Sequence, residues 1–443
     1  MSDSRVGLVP EKQLILNNNS FDHLTHYLFR YPAKFHPPLV RTLITQYTKH
    51  GDYILDPFCG SGSALIEAAI AGRHAIGSDI DPLAVFISRI KTHRYNIKYL
   101  TKSYQVLSEK LDHFQSKNVK CYEPHFQDLT LEEFNSTVHT EKLWIPAIPK
   151  LFHWFRRYVV VDLARINKEI AQIKTPNSHR DFFRLCFASI IRAASNADPV
   201  PVSGLEVTSY MKRKEILGRV VNPYALFEKA VKKGLLAVND FKSKSDPKAS
   251  VSAVQGNALK LKSFVRRKVD AVITSPPYHN AVDYYRRHQL EMFWLGFVKT
   301  QEDRLSLKPA YIGASRVSRK NSFLRDQHDL GPLSQKWEMQ IRTRSPERAN
   351  AFRHYVVSMR KVFDELGKIL PHSKPAIFVV GHSSWNGLEI PTSDLFIELA
   401  NPWFELTDYL WYPIKNRYMS YSRHNKANID KEYVLVFHRT ASI

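Results

Sequence analysis

Two short stretches of the 443-residue chain combine residue types that can do chemistry. The first is Asp56-Pro57-Phe58-Cys59-Gly60-Ser61-Gly62, with an apolar run, Tyr53-Ile54-Leu55, leading in and an alanine-rich stretch, Ser63 to Ala71, leading out. Strand, glycine turn and helix in that order set backbone N–H groups and a helix N-terminus against a ligand. Gly60 and Gly62 carry no Cβ, so a bulky group can approach the main chain. A second apolar run, His74 to Ser78, ends at Asp79, about 20 residues beyond the glycines, where a strand-tip carboxylate accepts ribose hydroxyls. Asp81-Pro82 reads as an N-cap and a first helical position, opening a helix to about Lys91. This leaves Asp79 for the ribose and Asp81 for the cap. The second stretch is Thr274-Ser275-Pro276-Pro277-Tyr278, which follows Val269 to Ile273, a run typical of a buried parallel strand. Such a strand delivers its loop to the carboxyl edge of an α/β sheet, where ligands bind. The two loops would then lie side by side although roughly 210 residues separate them.

Asp56 to Gly62 resembles motif I of the S-adenosylmethionine-dependent amino methyltransferases, and Thr274 to Tyr278 resembles their catalytic motif IV. The Ser-Pro-Pro-Tyr form is similar to that of the N4-cytosine DNA methyltransferases. Upstream, Phe29-Arg30-Tyr31-Pro32-Ala33-Lys34-Phe35-His36-Pro37-Pro38 resembles motif X, which closes over the methionine end of the cofactor. Val251 to Ala258 resembles motif III, where many relatives carry Asp at the place of Asn257; an asparagine still presents an acceptor oxygen to the adenine amino group. The resemblance spans residues 28–92, 251–297 and, more loosely, 370–440. It implies S-adenosyl-L-methionine as cofactor, held by Lys34, Phe35, Pro37, Asp56, Pro57, Phe58, Gly60, Ser61, Gly62, Asp79, Ile80, Asn257 and Ala258. It implies Ser275, Pro276, Pro277 and Tyr278 as catalytic residues. An exocyclic amine is a weak nucleophile because its lone pair is delocalised. The Ser275 hydroxyl and the Pro276 carbonyl can each accept one of its N–H bonds, and adjacent prolines preorganise them. Tyr278 offers a face on which a flipped base stacks. Transfer is direct, without a covalent intermediate.

The formal charge of +22 points to a polyanionic partner, and nucleic acid fits better than acidic lipid because no basic amphipathic anchor is evident. With the resemblance, that partner is double-stranded DNA, with room for a cognate restriction endonuclease acting separately. Tyr210-Met211-Lys212-Arg213-Lys214 suits phosphate contact through Lys212 and Arg213. Residues 298–350 read as a basic loop in which Arg316, Arg319 and Lys320 are candidate DNA contacts. C5-cytosine chemistry is excluded because none of Cys59, Cys121 and Cys186 follows a proline. No His/Cys spacing suits a metal, and His36, His279 and His288 read as polar or phosphate-facing. No run is long enough to cross a membrane and Met1 to Leu16 lacks a signal-peptide core. The expected place is therefore the cytoplasm, on the nucleoid. The oligomeric state is not legible.

The fold class expected is α/β, a Rossmann-like methyltransferase with a mostly parallel central sheet and a mainly helical insertion. Residues 1–92 and 251–443 would form the catalytic domain, 93–250 the helical insertion and candidate target-recognition region, and 298–350 a basic loop. Within the insertion, Leu151 to Ile173, Asp181 to Ala194 and Tyr224 to Lys244 read as helices, with Phe152, Trp154, Phe155 and Tyr158 as core. Ala281 to Phe297 and Ala351 to Leu370 read as further helices, and Phe404 to Tyr412 and Tyr433 to His438 as antiparallel closing strands. Function follows as N4-cytosine methylation of DNA. Alternatives are N6-adenine methylation of DNA, guanine-N2 methylation of RNA, and a binding protein that keeps the cofactor fold without catalysis.

Overall fold

The computed structural model describes the chain except residues 1–8, 17–23, 33, 118, 200–203, 280–283, 314–329, 386, 415–429 and 442–443, and the side chains of residues 284 and 285. Runs of apolar residues without polar alternation become central strands, because a parallel strand is covered on both faces. The strands are β1 (Glu11–Gln13), β2 (Tyr53–Asp56), β3 (His74–Asp79), β4 (Val251–Gln255), β5 (Ala271–Thr274), β6 (Pro375–Val380), β7 (Ser383–Trp385), β8 (Leu388–Ile390), β9 (Phe404–Pro413) and β10 (Lys431–Arg439). β7 and β8 form a separate hairpin; the others form one sheet in the order β1-β9-β10-β6-β5-β2-β3-β4. β6, β5, β2, β3 and β4 are mutually parallel, and β10 runs against its neighbours β6 and β9. The chain moves outward in one direction from β2 through β3 to β4, then returns to β5 on the other side of β2. The switch point where ligands bind in open α/β sheets therefore falls between β2 and β5.

The helices are α1 (Pro37–Tyr47), α2 (Ser63–Ile70), α3 (Pro82–Thr92), α4 (Ile97–Lys117), α5 (Leu131–Thr140), α6 (Leu151–Trp154), α7 (Arg157–Gln172), α8 (Asn177–Ala194), α9 (Ser209–Ile216), α10 (Pro223–Lys244), α11 (Tyr284–Arg287), α12 (Gln289–Trp294), α13 (Gln301–Ser306), α14 (Pro332–Arg344), α15 (Pro346–Ile369) and α16 (Thr392–Ala400). Leu39, Leu43, Ala64, Leu65 and Val85 of α1 to α3 pack on one face of the sheet. Phe352, Phe363, Leu366, Phe396 and Leu399 of α15 and α16 pack on the other. The inserted helices α4, α7, α8 and α10 enclose a third core, which also takes Leu290, Met292, Phe293 and Trp294 of α12. The helix just beyond the catalytic loop is thus built into the insertion.

Several sequence expectations change here. Ala281 to Phe297 is not one helix: among its described residues α11 and α12 break at His288, which has non-helical backbone angles. Leu151 to Ile173 likewise splits into α6 and α7 around Phe155, which is extended at φ −140°. Phe152 is 41% exposed rather than core, while Phe155 and Tyr158 are buried. Much of the described part of 298–350 is helical, in α13, α14 and the start of α15, rather than loop. Proline at the first turns of α14 and α15 fits the N-terminus of a helix, where a missing N–H costs nothing. Among residues 1–20, the lead-in contributes an edge strand, β1, parallel to β9.

Candidate active site

Both predicted loops leave the carboxyl edge of paired strands. Leu55 of β2 sits opposite Val272 of β5. One residue past this pairing, the Asp56 carboxylate accepts a hydrogen bond of 2.6 Å from the Thr274 hydroxyl and another, 3.1 Å, from the Phe58 amide. A single buried carboxylate therefore fixes the start of the glycine loop and of the catalytic loop. Around it, partly exposed residues line the edge (Phe58, Gly60, Asp79, Ile80, Asn257, Ser275, Pro277 and Tyr278), while Asp56, Pro57, Ser61, Gly62, Ala258 and Pro276 stand buried behind them.

The glycine loop is built from close backbone approaches. Gly60 and Gly62 have φ of +48° and +80°, where residues with side chains are strained. A Cβ on Gly62 would lie 2.9 Å from the Ser88 hydroxyl of α3, so this glycine serves packing of α3 rather than a ligand. A Cβ on Gly60 would point at the Tyr31 ring, 3.4 Å away. Asp79 accepts the Gly60 amide on one oxygen and the Asp81 amide on the other, each at 2.9 Å. Asp81 caps α3 by accepting the Leu83 amide at 2.8 Å, so the division between the two acids expected from sequence holds for the cap. Behind the loop, the buried Lys91 donates to the carbonyls of Ser61 and His26, and the buried Glu67 takes His26 and Arg41. Burial holds the Lys91 ammonium well below its usual range. This polar cluster ties the glycine loop to the segment before motif X. It was missed in the sequence because Lys91 and Glu67 look like ordinary surface positions of amphipathic helices.

Burial pushes the Asp56 carboxyl up to about 7, and burial together with the neighbouring carboxylates of Asp81 and Asp56 pushes Asp79 up to about 7. Asp81 is also raised by burial. Three crowded, poorly hydrated carboxyls are a site that gains from a positive ligand. S-adenosylmethionine carries a sulfonium and an ammonium against one carboxylate, so these residues fit it. Asp79 and the Gly60–Gly62 loop would hold its adenosyl part. Cys59 is buried with its thiol raised well above the usual range by desolvation, and Gly77 makes room for it: a Cβ there would sit 2.7 Å from that of Cys59. It is a packing residue. Asn257 spends its side-chain oxygen on the Leu259 amide at 2.9 Å, capping the short helix that follows β4. Lys34 donates to the His26 carbonyl at 2.9 Å and lies over the Tyr27 ring; Phe35 packs against the core of the α1–α3 face. Pro37 is the buried first residue of α1.

In the catalytic loop, the Tyr278 hydroxyl donates to Glu432 of β10 at 2.6 Å, and Tyr412 of β9 donates to the same carboxylate. Glu432 lies opposite Tyr412 in the β9–β10 register, so the antiparallel edge of the sheet reaches back to hold the tyrosine. Burial, then the Glu432 charge, push the Tyr278 phenol well above its usual range. The Tyr278 carbonyl lies against Gly313, where a Cβ would come within 2.7 Å. His279 and His288 are buried, not phosphate-facing: His279 packs on Phe352 and Tyr355, and His288 stacks on Tyr31 at 5.4 Å. His36 is exposed. Lys212 and Arg213 are exposed on α9. Arg316, Arg319 and Lys320 lie outside the described residues. A cavity of about 580 Å³ lined by Arg89, Arg94 and Val251 sits at the amino end of β4, away from both loops.

Residues 11–88, which run from β1 through motif I into α3, match the family described as DNA methylase, the N6/N4 methyltransferases. The chain is 25% identical over 401 residues to the type II methyltransferase M.MvaI of Kocuria varians, covering 87% of this chain and 82% of that protein. It is 22% identical to the type II methyltransferase M.MjaII of Methanocaldococcus jannaschii, covering 67% and 66% of the two chains. A shorter segment of 70 residues is 43% identical to the tRNA (guanine(10)-N2)-dimethyltransferase of Methanothermobacter thermautotrophicus, 16% of this chain and 21% of that one. Motif order and sheet topology agree with these similarities: the chain is similar to the N6/N4 DNA methylases over residues 11–88 and to type II methyltransferases over most of its length.

Proposed function

We propose that the protein methylates the exocyclic N4 amine of cytosine in duplex DNA at a specific sequence. The observation that carries this reading is the shared anchor of the two loops, Asp56 with Thr274, at the switch point between β2 and β5. S-adenosylmethionine supplies an electrophilic methyl group on a sulfonium sulfur. The Ser275 hydroxyl and the Pro276 carbonyl accept the two N–H bonds of the amine and turn its lone pair toward that methyl. With that cofactor bound, the methyl would pass from sulfur to the amine, leaving the neutral thioether, and the methylated amine would lose one proton to solvent by way of the Ser275 hydroxyl. Pro276 and Pro277 keep the acceptors from reorganising. Tyr278, tethered through its hydroxyl to Glu432, presents its ring to a base turned out of the stack. Serine at position 275 supports cytosine through the resemblance to the Ser-Pro-Pro-Tyr form, and the match to the DNA methylase family supports DNA.

The local similarity to tRNA guanine-N2 dimethyltransferases supports a second reading, amine methylation in RNA. It covers little of the chain, and such enzymes usually begin the catalytic motif with Asp where this one has Ser275. Tritium transfer from labelled S-adenosylmethionine to plasmid DNA and, separately, to bulk tRNA distinguishes them. Label in DNA alone is expected; label in tRNA alone would overturn the proposal.

A further inference from the structure

The helix α9 is anchored at both ends and bare between them. At its start, the Thr208 hydroxyl donates to Asp198 at 2.6 Å, and Arg192 donates both to the Asp198 carbonyl and to the Arg287 carbonyl of α11. A Cβ on Gly204 would touch the Arg286 side chain at 3.3 Å. α11 begins six residues after Tyr278 in the sequence, so the residues that brace the start of α9 also hold the segment that follows the catalytic loop. At its end, Glu215 is held by Arg156 and, at 2.7 Å, by Arg219. Glu215 is the only acid of the helix, and both of its partners lie outside it.

What remains on the helix is three consecutive exposed cations, Lys212, Arg213 and Lys214, with no acid of α9 left to neutralise them; Lys214 lies over the Tyr210 ring at 4.7 Å. Met211 is the single buried residue of α9. Beside the cations stand Tyr210, Ile216 and Leu217, 54%, 77% and 70% exposed. Adjacent exposed aliphatic side chains beside positive charge suit a partner with an anionic rim and an apolar interior. Duplex DNA has that chemistry: phosphates outside, base faces within. On α14 and α15, by contrast, Arg342 and Arg353 are paired with a carboxylate, that of Glu338.

We propose that α9 grips duplex DNA beside the catalytic loop, with Lys212, Arg213 and Lys214 on phosphates and the Ile216–Leu217 shoulder against the bases next to the one turned out. This rests on the DNA-methyltransferase reading above and adds to it the element that holds the duplex. The test uses the full chain, mixed-sequence plasmid DNA and labelled S-adenosylmethionine. K212A/R213A/K214A should bind the cofactor as wild type does. It should bind the plasmid about tenfold or more weakly, and lower the slope of log affinity against log salt by about 2 to 3. I216S/L217S should keep the wild-type salt slope and transfer methyl groups more slowly at saturating DNA. Wild-type affinity and slope in the triple variant would overturn the phosphate role. Wild-type transfer in the double variant would overturn the shoulder. A loss in the triple variant seen with duplex RNA but not DNA would overturn the choice of partner. If the wild-type chain labels no DNA at all, the underlying activity is wrong, a result distinct from these.

Discussion

The glycine loop and the catalytic loop leave neighbouring strands, yet they are held in opposite ways. Residues 56–62 are fixed mostly by short-range bonds, Asp79 on the Gly60 amide and Asp56 on the Phe58 amide, and by close packing on Ser88. Residues 274–278 are fixed by side chains from far away: Asp56, 218 positions back, and Glu432, 154 positions on. The first loop concentrates carboxyls and suits a cation. The second carries a hydroxyl, a backbone carbonyl and a ring, which on the proposed reading suit a neutral amine on a flat base. Binding and orientation are thereby separated, and changes in each loop should act on different measurements.

The largest effect is expected from the catalytic loop. Ser275→Ala should lower transfer at saturating cofactor and DNA by about 10²- to 10³-fold, as loss of one preorganised polar group does, with cofactor affinity unchanged by calorimetry. Next, Tyr278→Phe and Glu432→Gln should each lower transfer by roughly tenfold, the cost of a hydrogen bond to a charged group. The double variant should lose no more than either single one, because Glu432 acts through Tyr278. Additive losses would mean that Glu432 has a separate structural task.

Smaller effects belong to the cofactor loop. Asp79→Asn should weaken S-adenosylmethionine binding by about tenfold. Since burial pushes the Asp79 carboxyl up to about 7, wild-type affinity should rise from pH 6 to pH 8 as it ionises, and the variant's should rise less, through Asp56 alone. Stability without cofactor should show the opposite sign. A carboxyl raised from 3.8 to about 7 binds more protons folded than unfolded between those values, so wild-type stability is lost as pH rises through that window. The melting temperature of Asp79→Asn relative to wild type should therefore rise from pH 5 to pH 8, from a starting point lowered by the amide contact that asparagine cannot accept. A constant difference would remove the crowding argument.

The same contrast explains what the sequence made legible. The strand–turn–helix of the glycine loop, the Asp81 cap and the mostly parallel sheet were readable because their causes are local: apolar runs, glycines at fixed spacing, aspartate before proline. Glu432, Tyr412 and Lys91 were not, since each looks like a surface residue of its own element and acquires its role only when distant strands or helices meet. His279 and His288 were misplaced for the same reason. Nothing in their neighbours indicated that aromatic rings from α15 and from the Phe29–Tyr31 segment would cover them. The single helix expected over Ala281 to Phe297 was an error of periodicity, because apolar spacing does not report the break at His288 between α11 and α12.

The most direct check is mass spectrometry of nucleosides from plasmid DNA incubated with the protein and S-adenosylmethionine. The paired loops predict N4-methyl-2′-deoxycytidine as the product. N6-methyl-2′-deoxyadenosine would contradict the assignment of the base, and 5-methyl-2′-deoxycytidine or unmodified DNA would contradict the site itself.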